Sequence, residues 1–235
     1  MKKIILICGK RRSGKDFTAD IISDISNIQR FSIAYNLKSI IAKIAEISVD
    51  ELEELKNDEK SFIINYEKLK SNIIGELLKM SALKYNNRSV SITDEMLSDY
   101  ISSEVRIISK MGNIVEIDAR RALQYIGNLF KIIFNDYNIW ISLLNRDIVK
   151  TDNILITDFR FKAEYDYLKK YDYDIKTIRI IGPTKDDDDK YDKHTSEIDL
   201  NDFKTDFEID NSSRDKDSYL NLHNQVLKII KEINV

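Results

Sequence analysis

The chain has 235 residues, 37 of them basic and 40 acidic, with a formal net charge of −3 and a hydrophobic fraction of 43%. That length can bury a full core, and the near-balanced charge excludes a global pull toward nucleic acid, so any site for a polyanion must come from a local cluster. A single cysteine excludes an intrachain disulfide, and no apolar run approaches a membrane span.

The first residues after Lys3 form an apolar run, residues 4–8, too short for a signal peptide. A continuous apolar run of this kind predicts a buried parallel strand. Cys8 at its end reads as a small core residue. Next comes Gly9-Lys10-Arg11-Arg12-Ser13-Gly14-Lys15-Asp16, which fits G-x-x-x-x-G-K with aspartate where a serine or threonine hydroxyl usually follows. Phe17, Ile21 and Ile25 then recur every four residues, predicting a helix. Strand, glycine loop, helix is the context a phosphate-binding loop requires. Gly9 and Gly14 let the backbone approach phosphate oxygens, and the amides of the loop and helix start point at the anion. Lys15 adds a point charge at the β- and γ-phosphates. Arg11, Arg12 and Ser13 join these as expected ATP contacts. Asp16 removes the hydroxyl that commonly ligates Mg²⁺, and its carboxylate can take that place.

Residues 29–32 are expected to form a short second strand, and Leu37, Ile40, Ile41, Ile44 and Ile47 mark a helix. Residues 50–84 read as charged helix. Leu97, Ile101, Val105 and Ile108 predict another helix capped by Thr93 or Asp94. The stretch 50–113 is expected to be a helical insertion, or substrate lobe, within a single domain spanning 1–235. Asp118 is placed to cap a helix running to about residue 135, with Leu123, Ile126, Phe130 and Ile133 inward. On its other face Arg120, Gln124, Asn128 and Lys131 form a polar stripe, with Arg121 beside it. Arginine matches phosphate geometry with paired hydrogen bonds, and glutamine or asparagine can read a base edge. The same stripe can also be an ordinary solvated face.

Residues 153–158 read as a second buried strand ending at Asp158, followed by Phe159, Arg160 and a helix from Phe161. In open α/β sheets, ligands bind at the carboxyl ends of strands. There Asp158 can hold Mg²⁺, and Arg160 can stabilise charge on a transferring phosphate. The alternative is an Asp158–Arg160 pair that caps the helix. Residues 175–181 predict a third strand, carrying Arg179. The loop 184–199 is expected to be a lid: Asp186 to Asp189 form an acidic, solvated tip, and Lys190, Lys193 and His194 follow. Residues 207–210 predict a last strand. Tyr219, Leu222, Val226, Ile229 and Ile233 predict a closing helix packed on the core, with His223 structural. No metal-ligand spacing for zinc occurs. Strands alternating with helices argue for a three-layer α/β fold with a parallel sheet flanked by helices.

These residues resemble a known family, the deoxynucleoside monophosphate kinases of tailed phages and large DNA viruses. The loop ending Ser13-Gly14-Lys15-Asp16 carries the resemblance first. Phe31-Ser32-Ile33-Ala34 with Leu37-Lys38 looks like the family's second motif. Arg121-Ala122-Leu123-Gln124-Tyr125-Ile126-Gly127 resembles its monophosphate-binding helix, and Trp140 falls where the family has a tryptophan. Asp158-Phe159-Arg160-Phe161 with Glu164 matches its Asp-x-Arg-Phe motif, and His194-Thr195-Ser196-Glu197 its lid motif. Asn128, Lys131 and Gly182 depart from the family's threonine and two arginines. The resemblance implies a P-loop NTPase fold of the adenylate-kinase-like kind, with ATP as donor, Mg²⁺ as cofactor and a deoxynucleoside monophosphate as acceptor. It implies that Lys15, Asp16, Asp158 and Arg160 are catalytic, and that Asp16 and Asp158 hold Mg²⁺, directly or through water. Gly9, Arg11, Arg12, Ser13, Gly14 and Arg179 would contact ATP. Lys38, Arg120 and Arg121 would hold the acceptor phosphate, and Gln124 and Asn128 would face its base. Nucleic acid and membranes are not expected partners, a homodimer is left open, and a soluble cytoplasmic setting is expected.

Two alternatives stand beside this reading. Animal phosphomevalonate kinases share a similar Gly-Lys-x-x-Ser-Gly-Lys-Asp loop and Asp-x-Arg motif. A nucleotide-binding regulatory module without turnover would need the loop but not Asp158 and Arg160.

Overall fold

A computed structural model describes residues 1–26, 28–84, 97–101, 106–109, 113–183, 198–213 and 217–235. The chain divides into two compact units, residues 1–33 with 140–235, and residues 34–139.

The first unit is built on five parallel strands. They are β1 (Lys2–Cys8), β2 (Gln29–Phe31), β6 (Ile154–Ile156), β7 (Tyr173–Ile181) and β8 (Phe207–Asp210), in the order β2-β6-β1-β7-β8. Strand β1 pairs with β7 over seven residues, from Lys2 opposite Tyr173 to Cys8 opposite Arg179. Its central residues Ile4, Ile5, Leu6 and Ile7 are fully buried, because helices cover both faces of a parallel sheet. Alternation divides them. Ile5 and Ile7 join Ala19 and Ile22 of α1 (Lys15–Ser26) and Leu222, Val226 and Ile230 of the last helix, α8 (Ser218–Ile233), in one cluster. Also in this unit, among the described residues, are α6 (Ile139–Ile148, its first residue in the other unit) and α7 (Lys162–Leu168). This is the three-layer α/β arrangement that the alternating pattern predicts. Two expected core contacts differ. Phe17 and Tyr219 are half exposed and meet each other, ring centroids 5.9 Å apart, in the first turns of α1 and α8.

The second unit holds α2 (Tyr35–Ala45), α3 (Val49–Asn57), α4 (Tyr66–Lys84) and α5 (Ala119–Ile133). With them is an antiparallel sheet β3-β5-β4, formed by β3 (Ser61–Asn65), β4 (Arg106–Ser109) and β5 (Ile114–Asp118). The stretch 50–113 is therefore not wholly helical. Strand β3 interrupts the expected helix, burying Phe62 and Ile64 and exposing Ile63 on alternate faces. Its partner β5 lies about fifty residues later, so no local period announces the pairing. Residues 97–101 are helical, but Ile108 lies in β4, not on that helix. The expected caps Thr93 and Asp94, and Val105, lie outside the described residues, as do residues 184–197 with the acidic run and His194. Asp118 caps α5 as its sequence predicts, accepting a 2.8 Å hydrogen bond from the Arg121 amide. Ile126 and Phe130 are buried beneath that helix, while Leu123 and Ile133 are half-buried.

No described helix is long and apolar enough to cross a membrane.

Candidate active site

The phosphate-binding loop leaves β1 between its neighbours β6 and β7. Three of its residues have positive φ: Gly9 at 151°, Arg12 at 60° and Gly14 at 91°. At Gly9 glycine is required by space as well as by conformation. A Cβ there would lie 2.5 Å from the Ile180 carbonyl oxygen and 2.8 Å from Ser13 Oγ. A second glycine closes on the loop from outside it. A Cβ on Gly182, just beyond β7, would lie 2.5 Å from Ser13 Cα. The arginine that the family pattern places at 182 has no room against this loop. Ser13 is consequently buried between Gly9 and Gly182, 1% exposed, and its hydroxyl has no hydrogen-bond partner among the described residues. Arg12 is exposed and Arg11 half-buried.

Lys15 opens α1, and its ammonium donates to the Gly9 and Lys10 carbonyl oxygens, 2.7 Å each. It lies within the curl of the loop. Asp16 follows with its carboxylate 89% exposed and Arg30 of β2 at 3.7 Å. Arg30 also pairs with Asp20, one turn along α1.

Beside the loop an open cleft is lined by Gly9, Lys10, Lys15, Phe159, Arg160, Arg179, Leu200 and Asn201. Four sequence-predicted residues, Gly9, Lys15, Arg160 and Arg179, thus share one cavity at the carboxyl edge of the sheet, where α/β folds bind ligands. Arg160 is carried on a tight turn. Glu164 Oε2 accepts from the Arg160 amide at 2.9 Å and from the Phe161 amide at 3.0 Å, and Asp199 accepts from the Lys162 amide at 2.7 Å. These carboxylates satisfy the free amides at the start of α7. Glu164 and Asp199 thus cap the start of α7. Asp158 accepts from the Ser32 hydroxyl and the Ile33 amide.

Arg179 lines the cleft and is also an anchor. One of its terminal nitrogens donates to the Leu200 and Phe203 carbonyl oxygens at 2.8 and 2.7 Å, and Glu208, its cross-strand partner, lies 3.9 Å away. Phe203 packs edge-on against Phe159 and Tyr165. Cys8, opposite Arg179, is 1% exposed. Burial pushes its thiol pKa up, outweighing the opposing charges of Arg179 and Lys15.

The expected acceptor residues lie in the second unit. Lys38 of α2 forms an ion pair with Glu53 of α3 at 2.6 Å, and Glu53 also pairs with Lys56. Arg120 at the start of α5 reaches the Lys56 carbonyl oxygen at 3.5 Å. Two lysines therefore share one carboxylate, with Arg120 beside Lys56. Burial raises the Glu53 pKa, but hydrogen bonding and attraction from Lys38 and then Lys56 outweigh it, and the net shift is downward. Lys56 is lowered chiefly by burial, with the nearby Lys38 and Arg120 charges adding to it. Along α5, Arg121 and Asn128 are exposed and Gln124 is half-buried. Sequence reasoning missed Glu53 and Lys56, whose spacing of three on a charged helix looks like any surface pair. It also missed Asn211, a polar residue directly after β8, where position at a strand's carboxyl end is the only signal.

A comparison with curated proteins finds no match. Among solved structures the chain is similar to the dephospho-CoA kinase from Campylobacter jejuni, with 16% identity, a TM-score of 0.40, and 99% of this chain and 98% of that chain covered. The family model described as deoxynucleotide monophosphate kinase matches residues 3–219, from β1 to the beginning of α8. With that match the chain belongs to the deoxynucleotide monophosphate kinase family, phosphotransferases that pass a phosphoryl group from ATP to a deoxynucleoside monophosphate.

Proposed function

We propose that ATP is held by the loop from Gly9 to Asp16, that its γ-phosphoryl group is transferred at the Arg160 edge of the cleft, and that residues of α2 and α5 hold the acceptor. The observation that carries this reading is the shared cavity of Gly9, Lys15, Arg160 and Arg179 beside a loop with two positive-φ glycines. Lys15 and the loop amides take the β- and γ-phosphates, with Arg11 and Arg12 on the outer side. Arg160, with Arg179 behind it, faces the oxygens on which charge develops. Phosphoryl transfer offers the protein little covalent chemistry, so positioning and charge carry the catalysis. An acceptor phosphate oxygen attacks the γ-phosphorus, the bond to the bridging oxygen breaks, and ADP leaves with the electron pair.

Magnesium suits the donor set. Asp16 and Asp158 are hard oxygen ligands, and Mg²⁺ is usually held by one or two carboxylates with substrate phosphates completing its shell. When bound, the ion neutralises phosphate charge. The acceptor's phosphate is assigned to Lys38, Arg120 and Arg121, and its base to Gln124 and Asn128. The family membership supports a nucleotide acceptor over phosphomevalonate and over a module without turnover.

The test is ADP release with ATP and Mg²⁺ across a panel of deoxynucleoside and nucleoside monophosphates and 5-phosphomevalonate. Turnover with at least one deoxynucleotide, lost in Lys15→Ala, is expected. Turnover with phosphomevalonate alone would overturn the acceptor assignment. In Asp16→Ser, full turnover with unchanged Mg²⁺ dependence would remove Asp16 from the metal site.

A further inference from the structure

The carbonyl of Ser13 is held from outside the phosphate-binding loop. Asn211, the first residue after β8, donates its side-chain amide to Ser13 O at 2.8 Å. Asn211 is itself fixed, its backbone amide donating to the Ile181 carbonyl oxygen at 2.8 Å. The exits of β7 and β8 are thus tied together and to the loop. On the same side, Gly182 presses on Ser13 Cα, and a Cβ on Gly14 would collide with the Asn211 amide. Ser13 and Gly14 are seated on Gly182 and Asn211.

A trans peptide is planar, with its C=O and N–H pointing in opposite directions. Fixing the Ser13 carbonyl toward Asn211 therefore aims the Gly14 amide N–H away from Asn211. The orientation is not guaranteed by the chain itself. Glycine tolerates both signs of φ, so the Ser13–Gly14 peptide can flip at little cost. One orientation offers an anion an N–H donor, and the other offers it a carbonyl oxygen.

We propose that Asn211 is a positioning residue for ATP: its hydrogen bond to the Ser13 carbonyl locks the Ser13–Gly14 peptide so that the Gly14 N–H serves the phosphate chain. This inference rests on the assignment of residues 9–16 to the ATP phosphates. It also explains why a glycine and an asparagine side chain meet so closely. Gly14 provides the φ of 91° that the turn needs, and Asn211 removes the freedom that comes with it.

The test uses Asn211→Asp and Asn211→Ala in the full chain. Aspartate keeps the shape but cannot donate, and its charge repels both the carbonyl and the nucleotide. Steady-state kinetics should show KM for ATP raised about tenfold in Asn211→Ala and more in Asn211→Asp. In Asn211→Ala, KM for the deoxynucleotide and the melting temperature without nucleotide should stay near wild type. Amide NMR should show the Gly14 resonance shifting strongly with ATP in wild type and weakly in the variants. ATP binding unchanged in both variants overturns the proposal. So does a parallel loss of affinity for both substrates with a fall in melting temperature, which would mark Asn211 as a general structural residue. Should Asn211→Asp fail to fold, Asn211→Ala decides alone. Lys15→Ala separates the two readings: if it leaves ATP binding intact, the loop assignment itself is wrong, whatever the Asn211 variants do.

Discussion

Asp158 and Ser32 are joined by a 2.7 Å hydrogen bond, the Ser32 hydroxyl donating to one carboxylate oxygen while the Ile33 amide donates to the other at 2.7 Å. Neither residue is near the other in sequence; the parallel pairing of β2 with β6 brings their carboxyl ends together. Two donors fix the carboxylate plane. Ser32→Ala removes one of them and should lower turnover by about threefold to tenfold, from one hydrogen bond's worth of orientation. Asp158→Asn should cost about a hundredfold or more if the carboxylate itself serves the transition state. The kcat of the two variants across a Mg²⁺ titration checks the ranking; equal losses would mean that the carboxylate's charge is not used.

Two glycines should respond oppositely to alanine. Gly182→Ala places a methyl group 2.5 Å from Ser13 Cα, backbone against backbone, and nothing flexible can yield. A loss of about 1–3 kcal/mol is expected, with ATP affinity falling because the loop must move. Gly75 lies inside α4, with nothing within 4 Å of an added Cβ. Gly75→Ala should stabilise the chain by about 0.5–1 kcal/mol through helix propensity. Denaturant unfolding of both variants measures the contrast.

Ser13→Ala tests whether the serine of the loop works through its backbone. Its hydroxyl is buried and has no partner among the described residues, so its removal should be neutral or stabilise by up to about 1 kcal/mol. KM for ATP should change less than twofold, and a large rise would assign the hydroxyl to the nucleotide.

Glu53 holds Lys38 and Lys56, and Arg120 lies beside Lys56. Its pKa is lowered on folding, so its contribution is complete above the ordinary value of 4.5 and is lost as pH falls through the folded value. Glu53→Gln should destabilise the chain at neutral pH by on the order of 1 kcal/mol. The gap from wild type should close below pH 4.5. Unfolding free energies from neutral to acidic pH give the profile; a gap that does not depend on pH would mean that packing, not charge, is lost.

Cys8 should resist alkylation. Its thiol is 1% exposed and its pKa is raised by burial, so thiolate is scarce at neutral pH. Iodoacetamide should label it only at the rate of unfolding, which mass spectrometry with and without denaturant reads directly.

Much of this architecture follows from local patterns. Residues 4–8 are apolar without interruption because β1 is covered on both faces, and the same logic made residues 153–158 legible. The Gly9–Asp16 spacing identified the phosphate loop, and Asp118 announced the start of α5, because capping and glycine conformations are set within a few residues. Tertiary structure alone decided what depends on distant pairing. Strand β3 looked like part of a helix because its partner β5 lies about fifty residues away. Glu164 and Asp199, four and thirty-nine residues on, secure the turn that carries Arg160. Ser13 is enclosed by Gly182, and its carbonyl by Asn211, from opposite ends of the chain. A period or a motif records the environment of neighbouring residues, whereas hydrogen bonds between strand ends depend on the order in which strands pair, which no short stretch of sequence contains.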